Sequence, residues 1–78
     1  MTMRVLFTGR SSILFTDDDG ANYKVRAETL ELGSHDRLLF SREIKKFGVD
    51  KYLSEEERKM IVSKILSLTK TTKWLVLG

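Results

Sequence analysis

The chain has 78 residues, a net charge of +3, no cysteine and no proline. This length corresponds to one domain, residues 1–78, which buries only roughly 60% of the surface that its unfolded chain exposes. The lack of cysteine excludes disulfides, thiolate metal sites and a cysteine nucleophile, and it predicts a cytoplasmic protein. No apolar run is long enough for a signal sequence or a membrane span, so we expect no membrane association.

The first half of the chain predicts short strands separated by turns. Residues 3–8 (MRVLFT) and 12–16 (SILFT) are apolar and β-branched runs that are typical of strands. Asp19 and Gly20 follow the second run and predict a tight type I′ hairpin turn, in which both central residues have positive φ. A calcium loop is not expected here, because Phe15 and Arg26 occupy its first and last ligand positions.

The next segment alternates with the period of a half-buried strand. Tyr23, Val25 and Ala27 are separated by polar residues, and the parity of the apolar positions changes at Leu30. Either a bulge near residues 27–29 or the end of the strand accounts for this change. Residues 37–40 (RLLF) predict a short returning strand. Residues 41–53 fit either a further short strand or a turn of helix, followed by a loop.

The C-terminal part predicts a helix and a last strand. Ser54 and Glu57 have the spacing of a capping box, and a stripe of Ile61, Ile65 and Leu68 follows at helical steps. Residues 73–77 (KWLVL) are nearly all apolar, which predicts a strand that is buried on both faces or inserted beside others.

These elements predict a small two-layer α+β domain. An antiparallel sheet in the order β-β-β-β-α-β would be covered on one face by a single C-terminal amphipathic helix. The alternate apolar residues of the last strand would leave side chains on the second sheet face that need cover, which is compatible with a homodimer.

No combination of residues in the sequence predicts catalysis. His35 is the only histidine, and it cannot form a zinc site without further ligands. The consecutive Ser34, His35 and Asp36 do not form a triad, whose members meet through tertiary folding. No glycine-rich phosphate loop occurs. We therefore expect neither an enzyme nor a bound cofactor or metal.

The charge is concentrated in the second half of the chain. Residues 1–36 contain four Lys/Arg and six Asp/Glu, whereas residues 37–78 contain ten and five. Basic residues cluster near aromatic residues in segment 37–51, a combination that binds phosphates and stacks on bases in single-stranded DNA or RNA. The candidate partner-binding residues are Arg37, Arg42, Lys45, Lys46, Phe47 and Lys51.

The order and spacing of short motifs along most of the chain resemble a bacterial family described as immunity protein 74. These motifs comprise residues 9–13 (GRSSI), Phe15, Tyr23, Val25, Glu28, Ile44, Lys45, Phe47, residues 54–58 (SEEER), Ile61 and Ile65. The resemblance implies a small α+β immunity protein that neutralises a toxin domain by direct binding, without enzymatic activity. A net charge of +3 would suit an acidic toxin surface or a toxin that is blocked through shape and apolar contact. The alternative is a small module that binds single-stranded nucleic acid through segment 37–51.

Overall fold

A computed structural model describes residues 2–31, 33–49 and 52–78. Its elements are β1 (Arg4–Phe7), β2 (Ser12–Thr16), β3 (Asn22–Thr29), β4 (Arg37–Lys46), α1 (Glu55–Leu68) and β5 (Trp74–Leu77). The strands form one sheet in the order β1-β2-β3-β4-β5, with α1 packed on one face, so the predicted α+β fold is confirmed.

The sheet departs from the prediction in one pairing. The first four strands are antiparallel, but β5 pairs in parallel with the first part of β4. Parallel neighbours need a crossover connection, and α1 provides it. Its 14 residues span about 21 Å and return the chain from the end of β4 to the beginning of that strand.

The turn between β2 and β3 is a hairpin turn, as predicted, but its type differs. The Gly20 N–H donates to the Asp17 carbonyl over 2.9 Å, and Gly20 has a φ of 87°. No described residue other than glycine has a positive φ, so Asp19 does not adopt the conformation that a type I′ turn requires. The prediction of a type I′ turn was wrong, because Gly20 alone supplies the left-handed residue.

The irregularity predicted for β3 lies in β4 instead. Tyr23, Val25 and Ala27 are all buried, and β3 ends at Thr29, as one of the two alternatives required. The register shifts between Val25 and Ala27, where four residues of β4 (40–43) lie opposite Arg26 alone. The strand predicted for residues 37–40 therefore continues through this bulge to Lys46. Of the two alternatives for residues 41–53, a further strand is therefore confirmed as far as Lys46.

Helix α1 begins at the predicted residue. The Ser54 hydroxyl accepts from the Glu57 N–H and the Glu57 carboxylate accepts from the Ser54 N–H, each over 3.2 Å, which completes the capping box. Ile61, Val62 and Ile65 are buried against the sheet. Leu68 remains 40% exposed, so its assignment to the buried stripe was wrong and Val62 takes its place.

The core lies between α1 and the inner face of the sheet. Phe15 and Tyr23 are paired across β2 and β3, and their rings stack with centroids 5.9 Å apart. Lys64 of α1 binds both carboxylate oxygens of Asp17 over 3.0 Å and so attaches the helix to the β2–β3 turn. Burial alone would raise the pKa of Asp17, but the hydrogen bonds from Lys64 and from the Asp18 N–H, together with the charge of Lys64, outweigh burial and lower that pKa.

Strand β5 is an edge strand. Leu75, Val76 and Leu77 are each about 40% exposed, so of the two predicted alternatives burial on both faces was wrong, and β5 lies beside β4 at the edge of the sheet. Trp74 packs against the core, and its indole N–H donates to the Thr69 hydroxyl over 2.8 Å. Within the described residues, no helix is both long enough and apolar enough to cross a membrane.

Candidate binding surface

One face of the sheet is not covered by α1, and we call it the open face. Residues paired across neighbouring strands point to the same side of a sheet, and alternate residues point to opposite sides. The register therefore places on this side Leu6, Leu14, Lys24, Arg26, Leu38, Phe40, Lys45, Leu75 and Leu77. The open face thus combines five leucines and Phe40 with three cations in the middle. The same register also places polar and charged residues on it, namely Arg4, Ser12, Thr16, Asn22 and Glu28.

A shallow depression of about 350 Å³ lies at the centre of the open face, beside the bulge of β4. We call it the basic depression, and its lining residues are Ser11, Ser12, Lys24, Arg26, Glu43 and Lys45. The four consecutive β4 residues opposite Arg26 interrupt the regular pairing there. Bulges re-aim side chains and recur beside functional sites.

Arg26 is held in place from three directions. Its Nε lies 3.2 Å from Glu28 Oε1, its Nη1 lies 3.1 Å from Glu43 Oε2, and its guanidinium stacks 4.6 Å above the ring of Phe40. The hydrogen bond to Glu28, together with attraction by Glu43, raises the pKa of Arg26. These contacts neutralise much of its charge and cover one face of the Phe40 ring.

The other two cations of the basic depression differ from Arg26. Lys24 and Lys45 are directly opposite each other on β3 and β4, both are exposed, and neither forms an ion pair within the described residues. Like charges in this position repel each other and destabilise the sheet. The two ammonium groups are therefore the part of the open face that an anionic group would complement best.

Arg37, a predicted partner-binding residue, lies in the interior. It is 7% exposed, and its Nη2 donates to the carbonyls of Gly9 (3.1 Å), Arg10 (3.3 Å) and Ala27 (2.6 Å). The Phe7 ring also contacts its guanidinium, at 4.9 Å. Burial lowers the pKa of Arg37, and attraction by Glu28 opposes this in part. Arg37 therefore joins strands and does not face a partner.

The remaining predicted residues do not form one surface. Lys45 belongs to the open face, whereas Lys46 is half-buried with its Nζ 5.9 Å from the Tyr23 ring centroid. Arg42 is exposed on the bulge, and Phe47 is 56% exposed in the turn after β4. Lys51 lies outside the described residues. The structure therefore groups Lys45 with Glu43 and with Lys24 and Arg26 of β3, and not with the other predicted residues of segment 37–51.

Sequence analysis did not identify Lys24, Arg26 or Glu43 as site residues. The alternation of β3 already placed Lys24 and Arg26 on its solvent-facing side, opposite to Val25. Their proximity to Glu43 and Lys45 depends on the register between β3 and β4 and on the bulge. That register is a tertiary property that strand periodicity does not specify.

The basic depression offers one carboxylate beside three cations, which is unsuitable for a metal cation. No group of three or more His, Cys, Asp or Glu residues that could hold a metal ion occurs in the described part of the chain.

Comparison of the chain with protein-family models, with curated proteins and with solved structures finds no match. Function must therefore be inferred from the open face itself.

Proposed function

We propose that this protein is a non-catalytic binding protein of the immunity type. It neutralises a bacterial toxin domain by direct contact through the open face, and it acts in the cytoplasm of the cell that produces the toxin. The proposal combines the resemblance of the sequence to an immunity protein family with the character of the open face.

The observation that supports binding most strongly is that apolar residues occupy both faces of the sheet. An antiparallel sheet with one solvated face normally alternates apolar and polar residues. Here Leu38 pairs with Leu75, and Phe40 pairs with Leu77, on the side opposite α1. Leu75 keeps 39% of its surface exposed. Exposed apolar patches rimmed by polar residues mark interaction sites on proteins.

Many residues of the motifs that resemble the immunity family occupy structural positions, whereas Lys45 lies on the open face and Ser11 and Ser12 line the basic depression. Ile13, Phe15, Val25 and Ile65 are buried in the core, and Ser54 caps α1. These residues support a shared fold, and none of them belongs to the open face. An inhibitor built on this fold can therefore change its partner-binding residues without disturbing its core.

Co-expression with the toxin domain encoded beside this gene tests the proposal. The wild-type protein should protect the host cell and co-purify with the toxin domain as a one-to-one complex. Leu75→Asp places a charge on the open face and should abolish protection. Leu68→Asp is the matched control, because Leu68 has nearly the same exposure (40% against 39%) but lies on α1. Circular dichroism should show that both variants remain folded.

Two results would count against this proposal. The first is that the wild-type protein neither protects the cell nor forms a complex. The second is that L68D abolishes protection while L75D preserves it, which would move the binding surface to the helix. Sedimentation of the protein alone is a further control. A dimer that L75D dissociates would assign the open face to self-association instead.

A further inference from the structure

We infer that the basic depression binds carboxylate side chains of an acidic protein segment, with Lys24 and Lys45 as its ligands. This inference rests on the proposed function, because it takes the open face as the binding surface. It goes further by specifying the chemistry of the partner and the residues that recognise it.

The position of the two lysines is the first observation. Directly opposed residues on antiparallel strands have Cβ atoms roughly 4.5–5.5 Å apart, so the ammonium groups of Lys24 and Lys45 can converge on one carboxylate. Within the described residues no carboxylate pairs with either lysine. An external carboxylate would relieve their mutual repulsion.

The second observation is that the ion-paired Arg26 and Glu43 form one side of the depression. Glu28 and Glu43 hold Arg26 on the side of the bulge, and Glu43 itself lines the depression. Arg26 therefore needs no reorganisation when a ligand arrives, and Glu43 repels an anion that approaches from its side. This asymmetry directs an incoming carboxylate towards Lys24 and Lys45.

The surroundings favour a protein segment over nucleic acid. Binding of single strands combines cations with aromatic rings on which bases stack. The aromatic ring of the open face, Phe40, is covered by Arg26 on one side and pairs with Leu77 in the sheet. Beyond the lining residues of the depression, the open face presents leucines such as Leu14, which pairs with Lys24. Exposed leucines can bury apolar surface of a protein partner, whereas a phosphate backbone gains little from them.

Titration of the isotope-labelled protein with a ten-residue polyglutamate peptide tests the inference directly. In low salt, nuclear magnetic resonance should show shifts centred on Lys24, Arg26 and Lys45. The double variant K24A/K45A should weaken binding by about tenfold, since each exposed ion pair contributes a factor of a few. The control K59A/K70A removes the same charge from exposed residues outside the open face and should change affinity by less than about twofold.

A second variant separates ligand binding from folding. Lys45→Glu converts the repulsive pair with Lys24 into an attractive one, so it should raise Tm by about 2–4 °C. The same variant should abolish peptide binding. If Lys45 were only a solvated surface residue, its replacement by Glu would not both raise Tm and abolish peptide binding.

Several outcomes would overturn the inference. They are a peptide that does not bind, a K59A/K70A control that loses as much affinity as K24A/K45A, and a ten-nucleotide oligothymidine that binds more tightly than the peptide. A toxin complex that K24A/K45A leaves unchanged would also overturn it while preserving the proposed function. Peptide binding without any toxin complex would instead support the depression and contradict the proposed function.

Discussion

Replacement of Arg37 by alanine tests whether a buried guanidinium holds the curved sheet together. The edge strands β1 and β5 approach each other where β1 ends and β5 begins. There the Phe7 and Trp74 rings make an edge-to-face contact with their centroids 6.3 Å apart. Arg37 lies beside both rings, 4.9 Å from the Phe7 centroid and 5.8 Å from that of Trp74. Its removal would therefore loosen contacts between strands that are distant in the sheet order.

The size of the effect follows from which contacts water can replace. The carbonyls of Gly9 and Arg10 lie in an exposed loop and regain water, whereas Ala27 is fully buried. A hydrogen bond from a charged donor contributes about 1.5–3 kcal/mol, and each cation–π contact contributes about 0.5–1 kcal/mol. Relief of the cost of burying the charge offsets part of this sum. We therefore expect R37A to lower the free energy of unfolding by about 2–4 kcal/mol.

Urea unfolding followed by circular dichroism measures this loss. Arg42→Ala is the matched control, because Arg42 is exposed on the bulge and its removal should change stability by less than about 0.5 kcal/mol. Thermal unfolding of R37A should occur roughly 10–20 °C below that of the wild type. If R37A and R42A unfolded at the same urea concentration, the structural role assigned to Arg37 would be refuted.

Three further predictions concern the packing of α1. Ser54→Ala should lower the free energy of unfolding by about 1 kcal/mol through loss of the capping box, measured by urea unfolding. Ile65→Ala should cost about 2–5 kcal/mol, whereas Leu68→Ala should cost less than about 1 kcal/mol; equal losses would restore Leu68 to the buried stripe. The lowered pKa of Asp17 gives stability that is present above its ordinary value of 3.8 and lost as pH falls through the folded-state pKa. The stability difference between the wild type and D17N should therefore shrink below about pH 4 in acid titrations monitored by circular dichroism, and a constant difference would contradict the Asp17–Lys64 contact.

The elements that local sequence specifies were predicted well. The capping box needs only Ser54 and Glu57, and the alternation of Tyr23, Val25 and Ala27 needs only the pleat of one strand. Both depend on residues that are neighbours in the sequence, so their patterns are visible without tertiary structure.

The features that depend on contacts between strands were not predicted. The bulge places four residues of β4 opposite Arg26. The second part of β4 after the bulge is mostly charged, and Ile44 is its one buried residue. Arg37 is in phase with the buried Leu39 and is enclosed by the Phe7 and Trp74 rings from β1 and β5, a tertiary contact that no local pattern encodes. Strand β5 is apolar and yet exposed because it lies at the edge of the sheet.

The candidate site shows the same division. Lys45 was predicted from its basic surroundings in the sequence. Apart from Glu43, its neighbours in the basic depression are Lys24 and Arg26 of β3 and the two serines where β2 begins, Ser11 and Ser12. Only the register of β3 against β4 places Lys24 opposite Lys45. The sequence therefore indicated a cluster of basic residues in segment 37–51, whereas the structure groups Lys45 with Lys24 and Arg26 of β3.

The most direct test of the open face as the binding surface is to map the toxin domain on the isotope-labelled protein by nuclear magnetic resonance. The account predicts that signals of Lys24, Leu38, Lys45 and Leu75 shift or broaden on formation of the complex. Changes confined to the groove between α1 and β5, which Val62 and other residues line, would contradict it.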